Sequence, residues 1–188
     1  MTHMMLDTET LGRKPGCVIL SIGAVIFDPF NPNQENYTFE RRIDITSQLL
    51  FGFHIETETL DWWRTQSDEA KQSLLGVTHQ IKNVLIDFQA FCKNNKVDRV
   101  WAQGANFDPP IVEEAFNLCG IELPWRYSQP RDTRTVYDLF DFDAKTLPRV
   151  GVYHNALDDA RFQVIAVQQA IQMGKTIAWQ SKINDTKK

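Results

Sequence analysis

The sequence predicts an α/β protein in which helices pack on a mixed sheet, and three of its features lead there. The first 45 residues hold three strand-like runs joined by short loops. From Glu56 onward apolar residues recur at helical spacing. A further strand-like run, DRVWAQG at 98–104, stands between two of those helical stretches.

The first run, MMLDTET at 4–10, puts Asp7 and Glu9 on one side of a strand and Thr8 on the other, because successive side chains alternate faces. LGRKPG then supplies a turn, with Gly12, Pro15 and Gly16 as breakers. VILSIGAVIFDP reads as a long buried strand, rich in β-branched residues and closed by Asp28-Pro29. NPNQEN is a hairpin-type loop, and YTFERRIDI alternates as a third strand with Tyr37, Phe39, Arg41 and Ile43 on one face. Short connections make these three strands an antiparallel meander.

TETLDWWRTQ reads as a helix capped by Thr57, and SDEAKQSLL as a second one capped by Ser67. Over 78–94, Ile81, Val84, Leu85, Phe88 and Phe91 or Cys92 form the apolar face of a crossover helix that leads to the strand at 98–104. DPPIVEEAFNLCG opens with Asp108 and two prolines in the first turn, where a missing N–H costs little, and closes at Gly120. RDTRTVYDLF is a short helix. HNALDDARFQVIAVQQAIQMG is a long amphipathic helix ending at Gly174, and QSKINDTKK is a polar, frayed end. The order is three strands, helices, a strand, a helix, a strand or helix, and a last helix. Function is expected in a groove at the strand ends.

At 188 residues the chain is read as one domain over 1–178 with a polar tail over 179–188, long enough to bury a core without staples. Three cysteines, Cys17, Cys92 and Cys119, lack the spacing of a disulfide framework or zinc knuckle, which fits a reduced, cytoplasmic setting. The longest apolar run, VILSIGAVIF, is too short to span a bilayer, so no membrane partner is expected. A net charge of −4 argues against holding nucleic acid by bulk basicity. Arg126, Arg131, Arg134, Lys145 and Arg149 form a local basic group, but Asp132, Asp138, Asp141 and Asp143 are interspersed with them, which reads as an ordinary mixed surface.

Two carboxylates side by side on a strand cannot comfortably ionise together unless solvated or neutralised by a cation. Asp108 follows the fourth strand, and Asp159 lies in the first turn of the last helix, five residues after His154. If the fourth strand lies beside the first, Asp7, Glu9, Asp108 and Asp159 meet. Four such oxygen donors suit hard divalent ions such as Mg²⁺ or Mn²⁺. Each also has an ordinary alternative: a polar strand end, a helix cap, or a first-turn acid favoured by the helix dipole.

The order D-x-E-T, then N-F-D, then H-N-A-L-D-D resembles the DEDDh exonucleases, a superfamily that includes the polymerase proofreading subunit, RNase T and oligoribonuclease. LDTETLG, VILSIGAVIFDP, WWRTQSDEA, WAQGANFD and HNALDDA are most similar to the subgroup around the mycobacterial exoribonuclease, often labelled exodeoxyribonuclease VIII-like. The resemblance implies an RNase H-like fold with a central mixed five-stranded sheet flanked by helices. It implies a 3′-5′ exonuclease that releases nucleoside 5′-monophosphates from RNA or DNA 3′ ends with two divalent ions. Asp7, Glu9, Asp108 and Asp159 would be the metal ligands and His154 the general base, on a segment that Gly151 lets move.

By the same resemblance Thr8, Thr10, Leu11, Gly12 and Phe107 would contact the terminal nucleotide. Trp62 and Trp63 would stack on bases, or pack in the core, one of an adjacent helical pair turning inward. Where some relatives carry Asn four positions before the third acid, this chain has Gly104, leaving Gln103 or Asn106 for that contact. Relatives are often dimers, and a homodimer is a further expectation. RNA against DNA stays open, with RNA favoured. Two other readings remain: a haloacid dehalogenase-type phosphatase, of whose D-x-D-x-T motif D-T-E-T is a loose version, and a catalytically inactive nucleic-acid-binding module on the same fold.

Overall fold

A computed structural model describes the backbone of residues 1–33 and 37–186, with side chains to residue 176. Five strands, β1 (Thr2–Thr10), β2 (Ile19–Phe27), β3 (Thr38–Arg42), β4 (Val97–Ala102) and β5 (Pro130–Asp132), form one sheet in the order β3-β2-β1-β4-β5. The β1–β2 and β2–β3 pairs are antiparallel, and β4 and β5 run parallel to β1. This is an RNase H-like arrangement of a mixed five-stranded sheet flanked by helices, with the meander at one edge as expected.

Seven helices accompany the sheet among the described residues: α1 (Ile45–Leu49), α2 (Thr57–Thr65), α3 (Asp68–Ser73), α4 (Ile81–Asn94), α5 (Asp108–Cys119), α6 (Thr133–Leu139) and α7 (Ala156–Thr186). The alternation of β1 and β2 splits the core in two. Met4, Leu6, Ile22 and Ala24 pack with Val84, Leu85 and Phe88 of α4 and Ile111, Val112 and Phe116 of α5. Met5, Val25 and Phe27 point the other way, onto Leu157, Ala160, Val164 and Val167 of α7 and Tyr137 of α6. Both faces are covered, so the strand centre is dry and β1's two acids lie toward its C-terminal end.

Several elements depart from the sequence reading. The third strand stops at Arg42, because Asp44 caps a helix instead: its side chain accepts from Ser47 N at 2.7 Å. Gln48 of that helix is fully buried, exchanging two 2.8 Å hydrogen bonds with the Ile19 main chain. Tyr37 is exposed, whereas Phe39 and Ile43 enter the core. Thr57 is the first helical residue of α2 rather than its cap, which is Glu56. Ser67 caps α3 as expected, accepting from Ala70 N, and Gly120 ends α5 with φ +65°. The crossover helix begins at Ile81, three residues late, since Ile43 and His79 bridge two backbone segments just before it. The last helix passes through Gly174. A Cβ there would lie 2.3 Å from the Phe140 ring, so this glycine makes room for a ring rather than ending a helix. The NPNQEN loop lies partly outside the described residues.

Candidate active site at the end of the central strand

The C-terminal end of β1 meets α5 from one face of the sheet and α7 from the other. Asp7 and Glu9 project on the α7 side, as alternation requires. Opposite Asp7 in the β1–β2 ladder stands Gly23, and a Cβ on it would come within 2.3 Å of the Ala156–Leu157 backbone. This bare spot on β2 lets the first turn of α7 touch the sheet, and that turn carries Asp159. On the other face Asp108, at the start of α5, accepts from Thr8 N at 2.9 Å and from Thr8 Oγ1 at 2.8 Å. The ladder shifts register between Glu9 and Thr10. Four acids far apart in sequence, with His154, therefore line one cavity of about 1000 Å³.

Burial makes this cluster costly to ionise. Burial first, then the charges of Asp108, Glu9 and Asp159, raises the Asp7 carboxyl well above the carboxylate range. Glu9 is pushed up to about 9 by burial and by Asp159 and Asp108. Burial raises Asp108 to about 7 against the two Thr8 hydrogen bonds, and Asp159 is raised by burial against the opposing pull of Arg149. Three of the acids have donors: Gln163 Nε2 reaches Asp7 Oδ1 at 2.7 Å, Thr8 serves Asp108, and Arg149 with the His154 N–H serves Asp159. Glu9, only 6% exposed, accepts no hydrogen bond among the described residues. Its carboxylate, an Asp159 oxygen and a His154 ring nitrogen all lie within 4.8 Å of one another. Raised acids, one of them without a donor and all facing one cavity, fit a divalent cation, whose charge would reverse the cost of ionisation.

His154 sits just before α7 in the left-handed region, φ +61°, where a non-glycine residue is strained. Its N–H is held by Asp159 Oδ2 at 3.1 Å, and its ring stands edge-on to Trp62, centroids 4.9 Å apart. The tryptophan pair divides as helical geometry requires. Trp63 is 7% exposed and donates its indole N–H to Thr10 O at 2.9 Å, while Trp62 is 42% exposed; both line the cavity.

Of the expected nucleotide contacts, Thr8, Thr10, Gly12 and Phe107 line the cavity. The Thr8 hydroxyl is engaged with Asp108, and Thr10 Oγ1 donates to Gly12 O at 2.6 Å. Leu11 is buried in the core beneath, its N–H bonded to Val18 O and its carbonyl accepting from Glu56 N. Gln103 and Asn106 both face the cavity; at Gly104, φ +114°, a side chain would meet Arg134 Nη1 at 2.8 Å. Three cations of the supposedly ordinary surface group, Arg134, Lys145 and Arg149, line the same cavity.

Sequence reasoning missed Gln163, Gly23 and the Arg149 contact. Gln163 lies four residues after Asp159, the helical spacing that puts both on one face, so its position was legible once Asp159 was placed. A lone glycine in the β-branched run LSIGAVIF signals close backbone approach.

The chain matches the family model described as the 3′-5′ exoribonuclease Rv2179c-like domain over residues 2–171. It is also similar to a protein named exodeoxyribonuclease from Enterobacteria phage T4, 23% identical over 206 residues, covering 92% of this chain and 90% of that protein. With the match spanning nearly all of the sequence, the chain belongs to the Rv2179c-like 3′-5′ exoribonuclease domain family, a group of nuclease hydrolases acting on nucleic acid.

Proposed function

We propose that the chain is a metal-dependent 3′-5′ exonuclease that removes nucleoside 5′-monophosphates one at a time from a nucleic-acid 3′ end, with RNA preferred over DNA. The observation that carries this reading is the meeting of Asp7, Glu9, Asp108, Asp159 and His154 in one cavity at the end of β1. Asp7, which projects with Glu9 on the α7 side, would be shared by two Mg²⁺ or Mn²⁺ ions, with Glu9 and Asp159 completing the first site and Asp108 binding directly or through water. The ions would stabilise negative charge on the attacking and leaving oxygens.

The residues themselves do the rest. His154 takes a proton from the water that attacks the terminal phosphorus, and the bond from phosphorus to the preceding 3′ oxygen breaks. Trp62, partly exposed beside His154, offers a stacking face for the terminal base. Arg134 and Lys145 line the same cavity and suit the phosphate backbone of an otherwise anionic protein's substrate. The preference for RNA rests on the family description, while the phage relative carries a DNA-directed name. Residues 1–178 are read as the exonuclease domain and 179–188 as a tail; the family match ends at residue 171.

Matched RNA and DNA oligonucleotides, labelled at either end and incubated with Mg²⁺, Mn²⁺ or EDTA, test the proposal. A 5′ label should yield a ladder shortening from the 3′ end, a 3′ label should yield labelled monophosphate at once, and EDTA or His154→Ala should abolish both. Shortening from the 5′ end, or unchanged cleavage in EDTA or by His154→Ala, contradicts it.

A further inference from the structure

Both oxygens of Asp159 are occupied by one short segment. Oδ1 forms an ion pair with Arg149, and Oδ2 accepts the His154 N–H at 3.1 Å. Arg149 and Asp159 side chains are only 13% and 18% exposed, so the pair is poorly screened. Arg149 Nη2 also donates to Val152 O at 2.8 Å, and Val152 N donates to Asp158 Oδ2 at 2.9 Å, which ties 149–154 to the first turn of α7. The guanidinium lies between two rings, 4.4 Å from the Tyr153 centroid and 5.0 Å from that of Phe162. Its buried Nε has no acceptor. An arginine that leaves a buried N–H unpaired in order to reach one carboxylate is held there by charge rather than by a complete hydrogen-bond set.

Asp159 is also one corner of the Glu9, His154 and Asp159 cluster that suits a divalent cation. An ion there competes with Arg149 and the His154 N–H for the Asp159 carboxylate, and its charge repels the guanidinium. We infer that Arg149 is a positioning residue: it serves as an internal counter-cation for Asp159, keeps the His154-bearing segment fastened to α7 while the site holds no metal, and surrenders Asp159 when a divalent ion enters. Metal loading and release of the 149–154 segment are then one linked equilibrium, and by reciprocity whatever fastens the segment weakens metal binding. This rests on the divalent-metal reading above.

Two measurements on the full chain test it without reference to activity: titration with Mn²⁺, and amide hydrogen exchange over 149–155 in EDTA and in saturating Mg²⁺. Wild type should exchange about tenfold faster over this segment with Mg²⁺. Arg149→Met should exchange fast in both conditions and bind Mn²⁺ at least about threefold more tightly, because a repelling charge is gone. Arg149→Lys, which keeps the charge, should stay near wild type in Mn²⁺ affinity and guards against a folding defect in the first variant. If wild type binds Mn²⁺ yet exchange over the segment is unchanged or slower, or if Arg149→Met binds Mn²⁺ equally or more weakly, the inference fails while the metal reading stands. If wild type binds no Mn²⁺, both fail.

Discussion

Asp7 is half-buried beside Glu9, Asp108 and Asp159, and among the described residues Gln163 alone donates to it. The cluster it belongs to favours binding over folding. An acid whose pKa is raised in the folded state holds more protons there than in the unfolded chain, so its contribution to stability is complete below the unfolded value and is lost as pH rises through the folded one. For Glu9 the window runs from its usual 4.5 to about 9, and for Asp108 from 3.8 to about 7. Without metal, the melting midpoint should therefore fall between pH 5 and pH 9, and saturating Mg²⁺ should flatten that slope. At pH 8 in EDTA, Asp7→Asn should be more stable than wild type by on the order of 1 kcal/mol, or about 2–4 °C in midpoint. The same variant should lose several orders of magnitude in kcat, since the lost interaction is made in the transition state. Calorimetry across the pH range and single-turnover cleavage check the two halves. A metal-free midpoint that rises over that range would show the acids are compensated in some other way.

Among the elements, β2 and α7 set the site by how closely they approach, and two glycines separate that function from plain packing. At Gly23 a Cβ would press on main chain, which cannot move without shifting the whole first turn of α7. At Gly174 it would press on the Phe140 ring, which can turn. Gly23→Ala should thus cost about 3 kcal/mol or more and displace Asp159, reducing metal affinity in whatever folded protein remains. Gly174→Ala gains about 1 kcal/mol of helix propensity against about 1–3 kcal/mol of crowding, a small net loss, with cleavage unchanged. Denaturant melts and Mn²⁺ titration of both variants separate these outcomes. The same contrast explains which elements the sequence made legible. Glycine ended a helix at Gly120, where nothing lies within 4 Å of an added Cβ, but not at Gly174, where a partner from α6's far end decides. The short helix α1 was invisible because its warrant is the pairing of buried Gln48 with Ile19, 29 positions away.

For the molecule as a whole, alternation along β1 pairs Asp7 with Glu9 and the element order indicates a mixed sheet with helices on it, because those depend on local periodicity and chain topology. That β4 lies beside β1, and that Asp108 and Asp159 reach the same cavity, come from the family resemblance. The environment of the acids was not legible in the same way. Gln163 on Asp7, Arg149 on Asp159 and the Arg134 and Lys145 lining arise from side chains that meet only after α6 and α7 dock, and an interspersed charge pattern looks alike on a plain surface and in a cleft. Among the described residues no helix is long and apolar enough to cross a membrane, and Cys17, Cys92 and Cys119 are buried and unpaired.

The central claim, that carboxylates from β1, α5 and α7 together hold divalent ions, is tested most directly by counting Mn²⁺ bound at saturation by electron paramagnetic resonance, for wild type and for Asp7→Asn. The account predicts two ions per chain for wild type and loss of at least one in the variant. Equal, weak and non-saturating binding by both proteins would contradict it.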